Sequence, residues 1–158
     1  MAAKPTCTPP NHSVLKRIVM NLTRIVLAAF AAFLAYFALG ALIFTSPWMR
    51  SEFSKFPAIY RTQEAIKAVM PAGMAAMFVA MVVLAVIYAM LYQGGSGLAE
   101  GARFGALIAV FSVCTFVLHN YVNLNIGLKL TLQQTLAYSI EWIIVGIVIG
   151  LIYRPLVR

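Results

Sequence analysis

The chain has 158 residues, 63% of them hydrophobic and only 10% charged, with 12 Lys and Arg against 4 Asp and Glu and a formal net charge of +8. A soluble domain usually carries about a quarter charged residues, so this chain cannot hide its apolar surface in a core of its own, and lipid must cover part of it. The excess of cations does not mark a nucleic-acid binder: every Lys and Arg lies outside or at the ends of the long apolar runs, where headgroups wait, and no basic soluble face exists.

Residues 1–13 are polar and Pro-rich and read as a disordered tail. The rest, 14–158, reads as one membrane domain. Residues 14–24 are amphipathic: Val14, Leu15, Ile18, Val19 and Leu22 share a face that Lys16, Arg17 and Asn21 avoid. Such a segment suits a helix lying on the membrane surface and leading into the first span. That span runs from about Ile25 to Phe44 without a charge, long enough for a hydrocarbon core of ~30 Å. It is too long for a signal-peptide apolar region, and no cleavage site follows it, so it is expected to be retained. Pro47 and Trp48 mark its exit.

The stretch from Thr45 to Met70 alternates Arg50, Glu52, Lys55, Arg61, Glu64 and Lys67 with Phe53, Phe56, Ile59 and Tyr60. This mixture predicts an interfacial segment, with a short helix from about Thr62 leading into the second span. Pro71 is expected at an early position of that span, where a missing N–H does little harm. The second span covers about 72–91, and Gln93 to Gly97 form a flexible turn. The third covers about 103–123, a short turn follows at 125–130, and the fourth covers about 132–153. The predicted fold is therefore an all-α bundle of four transmembrane helices.

An even number of spans puts both termini on one side. That side collects Lys4, Lys16, Arg17, Arg24, Arg103, Arg154 and Arg158, against Arg50, Lys55, Arg61, Lys67 and Lys129 on the other. The balance, led by the cluster before the first span, favours cytoplasmic termini.

The third span carries a stripe at helical spacing: Gly101, Gly105, Ala109 and Ser112, then Thr115, His119 and Asn123. It reads as a helix–helix seam, small residues allowing close approach and polar ones finding partners. The sharper alternative is a polar path or ligand site. In the fourth span Gln134, Tyr138 and Glu141 share a face, and Glu141 is the only acid inside a span. Folding the hairpin about Gly127 sets Glu141 near the depth of Cys114 and Thr115, with His119 about 9 Å higher at ~1.5 Å per residue. Three roles for Glu141 stay open: a protonated, hydrogen-bonded structural group, a partner for a cation or polar group on another protein, or a carrier of protons, ions or substrate. The opposite face of this span holds Ser139, Gly146 and Gly150. Gly146 and Gly150 are a close-packing pair that meets either Gly101 and Gly105 or a second protein.

Other chemistry finds little support. Met70, Met74, Met77 and Met81 form a thioether stripe that could hold Cu(I) with Cys114 and His119, but it reads more simply as adaptable packing. His119 has no partner for a bis-histidine haem site, since the only other histidine is His12 in the tail. Cys7 and Cys114 are each isolated, so neither a disulfide framework nor a CxxC metal site is readable. No cofactor is expected. No phosphate loop, nucleophile elbow, zincin helix or dinucleotide fingerprint is present. The sequons at Asn11 and Asn21 would lie on the inner side.

Gly101-Ala102-Arg103-Phe104-Gly105, His119-Asn120-Tyr121-Val122-Asn123, Glu141-Trp142 and the run from Gly146 to Arg154 resemble a type of small, uncharacterised bacterial four-helix membrane protein. The likeness spans Glu100 to Pro155, about a third of the chain. It implies a bacterial inner membrane and brings no activity with it.

Two functional expectations follow. The first is a non-catalytic protein that packs laterally in the bilayer, as an accessory subunit beside other membrane proteins or with copies of itself. The second is a small proton, ion or solute transporter using His119, Asn123 and Glu141. A membrane enzyme would have only His119, with no oriented partner, as its base.

Overall fold

The computed structural model describes residues 20–153 and Pro155. The polar tail, the lead-in up to residue 19 and the arginines at 154 and 158 lie outside the described residues. Six α-helices make up the fold: α1 (Leu22–Phe44), α2 (Pro47–Phe53), α3 (Gln63–Leu91), α4 (Gly97–Ser112), α5 (His119–Asn123) and α6 (Leu128–Ile152). A π-helical turn, Val113–Leu118, joins α4 to α5, so these form one continuous third span. Four helices, α1, α3, α4–α5 and α6, are long and apolar enough to cross a membrane. Their outward faces carry Val26, Phe30 and Leu34 on α1, Val79 and Val83 on α3, Leu107 and Val110 on α4, and Leu132 and Leu136 on α6, all exposed. No soluble monomer leaves so much contiguous apolar surface bare.

Local sequence explains the ends. The Asn21 side chain accepts from Arg24 N at 3.1 Å and opens α1. Ser46 caps α2 with Pro47 in its first turn, and the Thr62 hydroxyl accepts from Ala65 N to start α3. Residues 22–24 are thus the first turn of the first span, and the span begins three residues earlier than expected. At the start of α4, the Glu100 carboxylate turns back and accepts from Gly95 N at 2.7 Å. This fastens the glycine turn, in which Gly94 adopts φ +88.

Pro71 departs from expectation. The lead-in helix and second span are one helix, and Pro71 lies in its interior. There it withholds a backbone donor from the turn before it. From Gln63 to Ala76 no residue of α3 is buried. Its second half packs on α1, while α6 lies between α4 and α1.

The bundle is therefore closed at one end and splayed at the other. At the end where α1 begins and α3 and α6 finish, Ile25, Ala28, Ala29 and Ala32 of α1 meet Met81, Ala85, Tyr88 and Ala89 of α3. Phe104 of α4 and Val145, Ile149 and Tyr153 of α6 complete this core. Tyr88 anchors it, with ring centroids 5.4 Å from Phe104 and 6.0 Å from Tyr153. At the loop end a smaller cluster of Met49, Ile126, Leu130 and Ala137 packs against Phe44, Phe53 and Phe56. Glu52 is only 4% exposed and holds this cap by ion pairs to Lys55 at 2.7 Å and to Lys129 at the start of α6. Those two ammonium groups keep its carboxyl below the ordinary value of 4.5.

The glycine pairs find each other within the chain. A Cβ on Gly101 would stand 2.5 Å from Gly146 O, and one on Gly105 would stand 2.5 Å from Trp142 O. Gly97, expected only as a turn residue, extends the seam against Gly150. The two faces of α6 are consequently both used inside the bundle, the glycine face by α4 and the Glu141 face by α1.

Candidate functional site

Glu141 is the fourteenth residue of α6, about 20 Å along the helix from Leu128 at ~1.5 Å per residue. It is 0% exposed, and neither carboxylate oxygen has a hydrogen-bond partner among the described residues. The neighbour across the helix contact is Gly40 of α1, where a Cβ would lie 3.1 Å from Glu141 Oε1. Glycine at 40 thus leaves the carboxyl room that any larger residue would take.

Glu141 is among the residues lining a chamber of about 560 Å³, with its two carboxylate oxygens themselves buried behind the surface of that lining. Tyr36, Phe37 and Gly40 of α1 form one wall, and Gln134, Tyr138 and Glu141 of α6 form another. Phe116, Asn120 and Leu124 of the third span and Met70 of α3 form its rim. Three of these rim residues are open on the outer surface of the spans: Phe116 at 49%, Met70 at 45% and Leu124 at 38%. Aromatic rings dominate the lining. Tyr138 lies with its ring centroid 5.5 Å from Phe44 and 5.7 Å from Phe116, and Tyr36 is 5.4 Å from Trp142. No Lys, Arg or His lines this chamber.

A second chamber of about 790 Å³ adjoins it toward the loop end and shares Phe44, Thr45, Phe53, Tyr60 and Met70 with it. It lies between the 45–62 segment and the splayed half of α3, and Arg50 and Arg61 line it. Gln134 Nε2 donates to Tyr60 Oη at 3.5 Å where the chambers meet. Burial pushes the Tyr60 phenol above its ordinary value.

The seven polar residues singled out in the sequence therefore divide. Gln134, Tyr138 and Glu141 line one chamber. Thr115, His119 and Asn123 do not join them and are exposed on the outer face of the third span, with Ser112 half-buried. The cause is the π-helical turn. An extra residue in a turn rotates all that follows, so the inward position after Ser112 is Val117, fully buried and five residues on, and not Thr115. Two of the displaced polar groups bond on their own helix: Thr115 Oγ1 donates to Phe111 O at 2.7 Å and Asn123 Nδ2 to His119 O at 2.8 Å. Ser139, read with the glycine face, likewise donates to Thr135 O at 2.7 Å.

Gly40 and Phe116 went unremarked in the sequence, and Asn120 entered only within the segment His119 to Asn123 that carries the resemblance. Only the Tyr36-x-x-x-Gly40-x-x-x-Phe44 spacing on one face of α1 signals an aromatic notch there. The methionine stripe is also divided, Met81 in the core and Met74 and Met70 exposed, with Cys114 exposed on the third span.

No protein-family model, curated protein or solved structure matches the chain. Its four apolar spans make it an integral membrane protein.

Proposed function

We propose that this membrane protein is non-catalytic and binds a small solute in the chamber beside Glu141, as the binding step of a small carrier. The observation behind this reading is a carboxyl with no partner among the described residues, buried at mid-helix in a residue that lines a cavity large enough for a solute. Structural glue would be hydrogen-bonded, and this group is not. The chamber opens toward the loop end and sideways past Met70, Phe116 and Leu124, and the packed core from Val145 to Tyr153 blocks the other end. The first half of α3, which contains Pro71 and has no buried residue from Gln63 to Ala76, is the element free to close over it. The cationic flank of the first span and the resemblance of the C-terminal third support a bacterial inner membrane with cytoplasmic termini.

A second reading, lateral packing against another membrane protein or a second copy, draws on a separate observation. The first half of α3 and the outward Thr115, His119 and Asn123 are not covered by any of the described residues. The glycine seams no longer support it, because α4 and α6 consume them.

Gentle extraction from the source membrane followed by native mass determination tests the two. The carrier reading expects one small molecule per chain, lost in Gly40→Leu, which fills the space beside Glu141. An assembly with another protein in fixed ratio, unchanged by Gly40→Leu and carrying no small molecule, would replace it with the second reading.

A further inference from the structure

We infer that the ligand of the Glu141 chamber is an apolar organic cation, a hydrophobic amine or quaternary ammonium whose charged nitrogen rests against the carboxylate. The inference depends on the binding reading above and gives it a ligand class.

Charge is the first ground. Among the described residues Glu141 is the one acid lining the chamber, and no Lys, Arg or His of that lining balances it. A buried carboxylate without a counter-charge or hydrogen bonds is costly, and a cationic ligand removes that cost on binding. The second ground is the lining itself. Tyr36, Phe37, Phe44, Phe116 and Tyr138 line the same chamber as Glu141, and aromatic rings attract an alkylated ammonium most strongly where water is excluded. Inorganic cations fit poorly, since they take about six or more oxygen ligands and this lining offers one carboxylate with a few hydroxyl and amide groups.

Entry points the same way. The aqueous approach passes Arg50 and Arg61 in the outer chamber, which repel a cation. The other opening lies between Met70 on α3, Phe116 on the third span and Leu124 just after it, all exposed and apolar. A cation that reaches Glu141 by this route must first partition into the bilayer, so its body must be apolar.

The competing chemistry is a neutral ligand whose carbonyl accepts a hydrogen bond from a protonated Glu141. Glu141→Gln separates the two, because the amide keeps shape and a hydrogen-bond donor and loses only the charge. The full chain in nanodiscs would be titrated with tetraphenylphosphonium, an apolar cation, and with benzophenone, a neutral aromatic ketone, against empty discs. The expected result is saturable one-to-one binding of tetraphenylphosphonium that E141Q weakens at least tenfold, with thermal unfolding of the variant unchanged. Cation affinity in E141Q within twofold of wild type would overturn the assignment. Saturable binding of benzophenone alone would also overturn the cation class while leaving the binding reading in place. Binding of neither probe would remove both.

Discussion

Alanine at Gly101 or Gly105 should pry α4 from α6, and the cost can be sized from the helix contact. A Cβ at either position lies 2.5 Å from a carbonyl oxygen of α6, against the 3.4 Å at which ordinary contact begins, so the backbones must part by about 0.9 Å. Both obstacles are backbone atoms, which cannot rotate aside. Forcing a methyl into such a contact costs roughly 1–3 kcal/mol. Alanine is also the better helix former by ~1 kcal/mol, and that gain must be subtracted. Gly73 provides the subtraction: it lies inside α3 with nothing within 4 Å of its would-be Cβ. Gly73→Ala should therefore be neutral or slightly stabilising, and Gly101→Ala should fall below it by about 1–3 kcal/mol. The double variant Gly101→Ala/Gly105→Ala should cost less than the two singles together, since one separation relieves both contacts. Reversible unfolding in mixed micelles measures each. If Gly101→Ala and Gly73→Ala differ by less than about 0.5 kcal/mol, close to the noise of additivity, the glycine seam does not hold this hairpin together.

Other outcomes follow from the loop end and the spans. Glu52 has a depressed carboxyl, so its ion pairs stabilise the cap above the ordinary carboxylate range of about 4 and are lost as the pH falls through the folded value. Amide-exchange protection in the 47–60 segment, taken relative to the intrinsic rate at each pH, should fall in acid, and Glu52→Gln should be poorly protected at every pH; equal protection in the variant at neutral pH would remove Glu52 from the cap. Pro71→Ala should restore the backbone hydrogen bond that proline withholds and narrow the distribution of spin-label distances between Met70 and Leu124, whereas an unchanged distribution would show that α3 is not hinged there. Cys114 is exposed on a span, so in a Cys7→Ser background a membrane-permeant maleimide should label it and a sulfonated one should not. Equal labelling by both would place this face in water.

Much of this architecture could be read from composition and period. The four spans, the interfacial segment and the small-residue faces all leave long, repeated marks in the sequence. What could not be read depends on single residues. A π-helical turn adds one residue per turn without altering composition, so the stripe through Thr115, His119 and Asn123 looked continuous although its second half faces outward. Pro71 looked like an early residue of the second span, after a short lead-in helix from about Thr62, because apolar period alone does not show that the charged residues before it belong to the same helix. The glycine pairs were visible, but a close-packing face does not say which helix it meets. Glu141 stood out as an acid in a span, and its isolation did not: whether a buried carboxyl is bonded depends on neighbours from other helices. Gly40 was silent for the same reason, since its role is to leave a space.

Reaction of the folded protein with dicyclohexylcarbodiimide, an apolar reagent for carboxyl groups in lipid, tests most directly whether Glu141 faces an open chamber. Peptide mass mapping should find the adduct at Glu141, reduced in Gly40→Leu and absent in Glu141→Gln. A folded protein in which Glu141 stays unmodified at reagent levels that label the same residue after unfolding would show the carboxyl sealed in the bundle, and the binding account would fail.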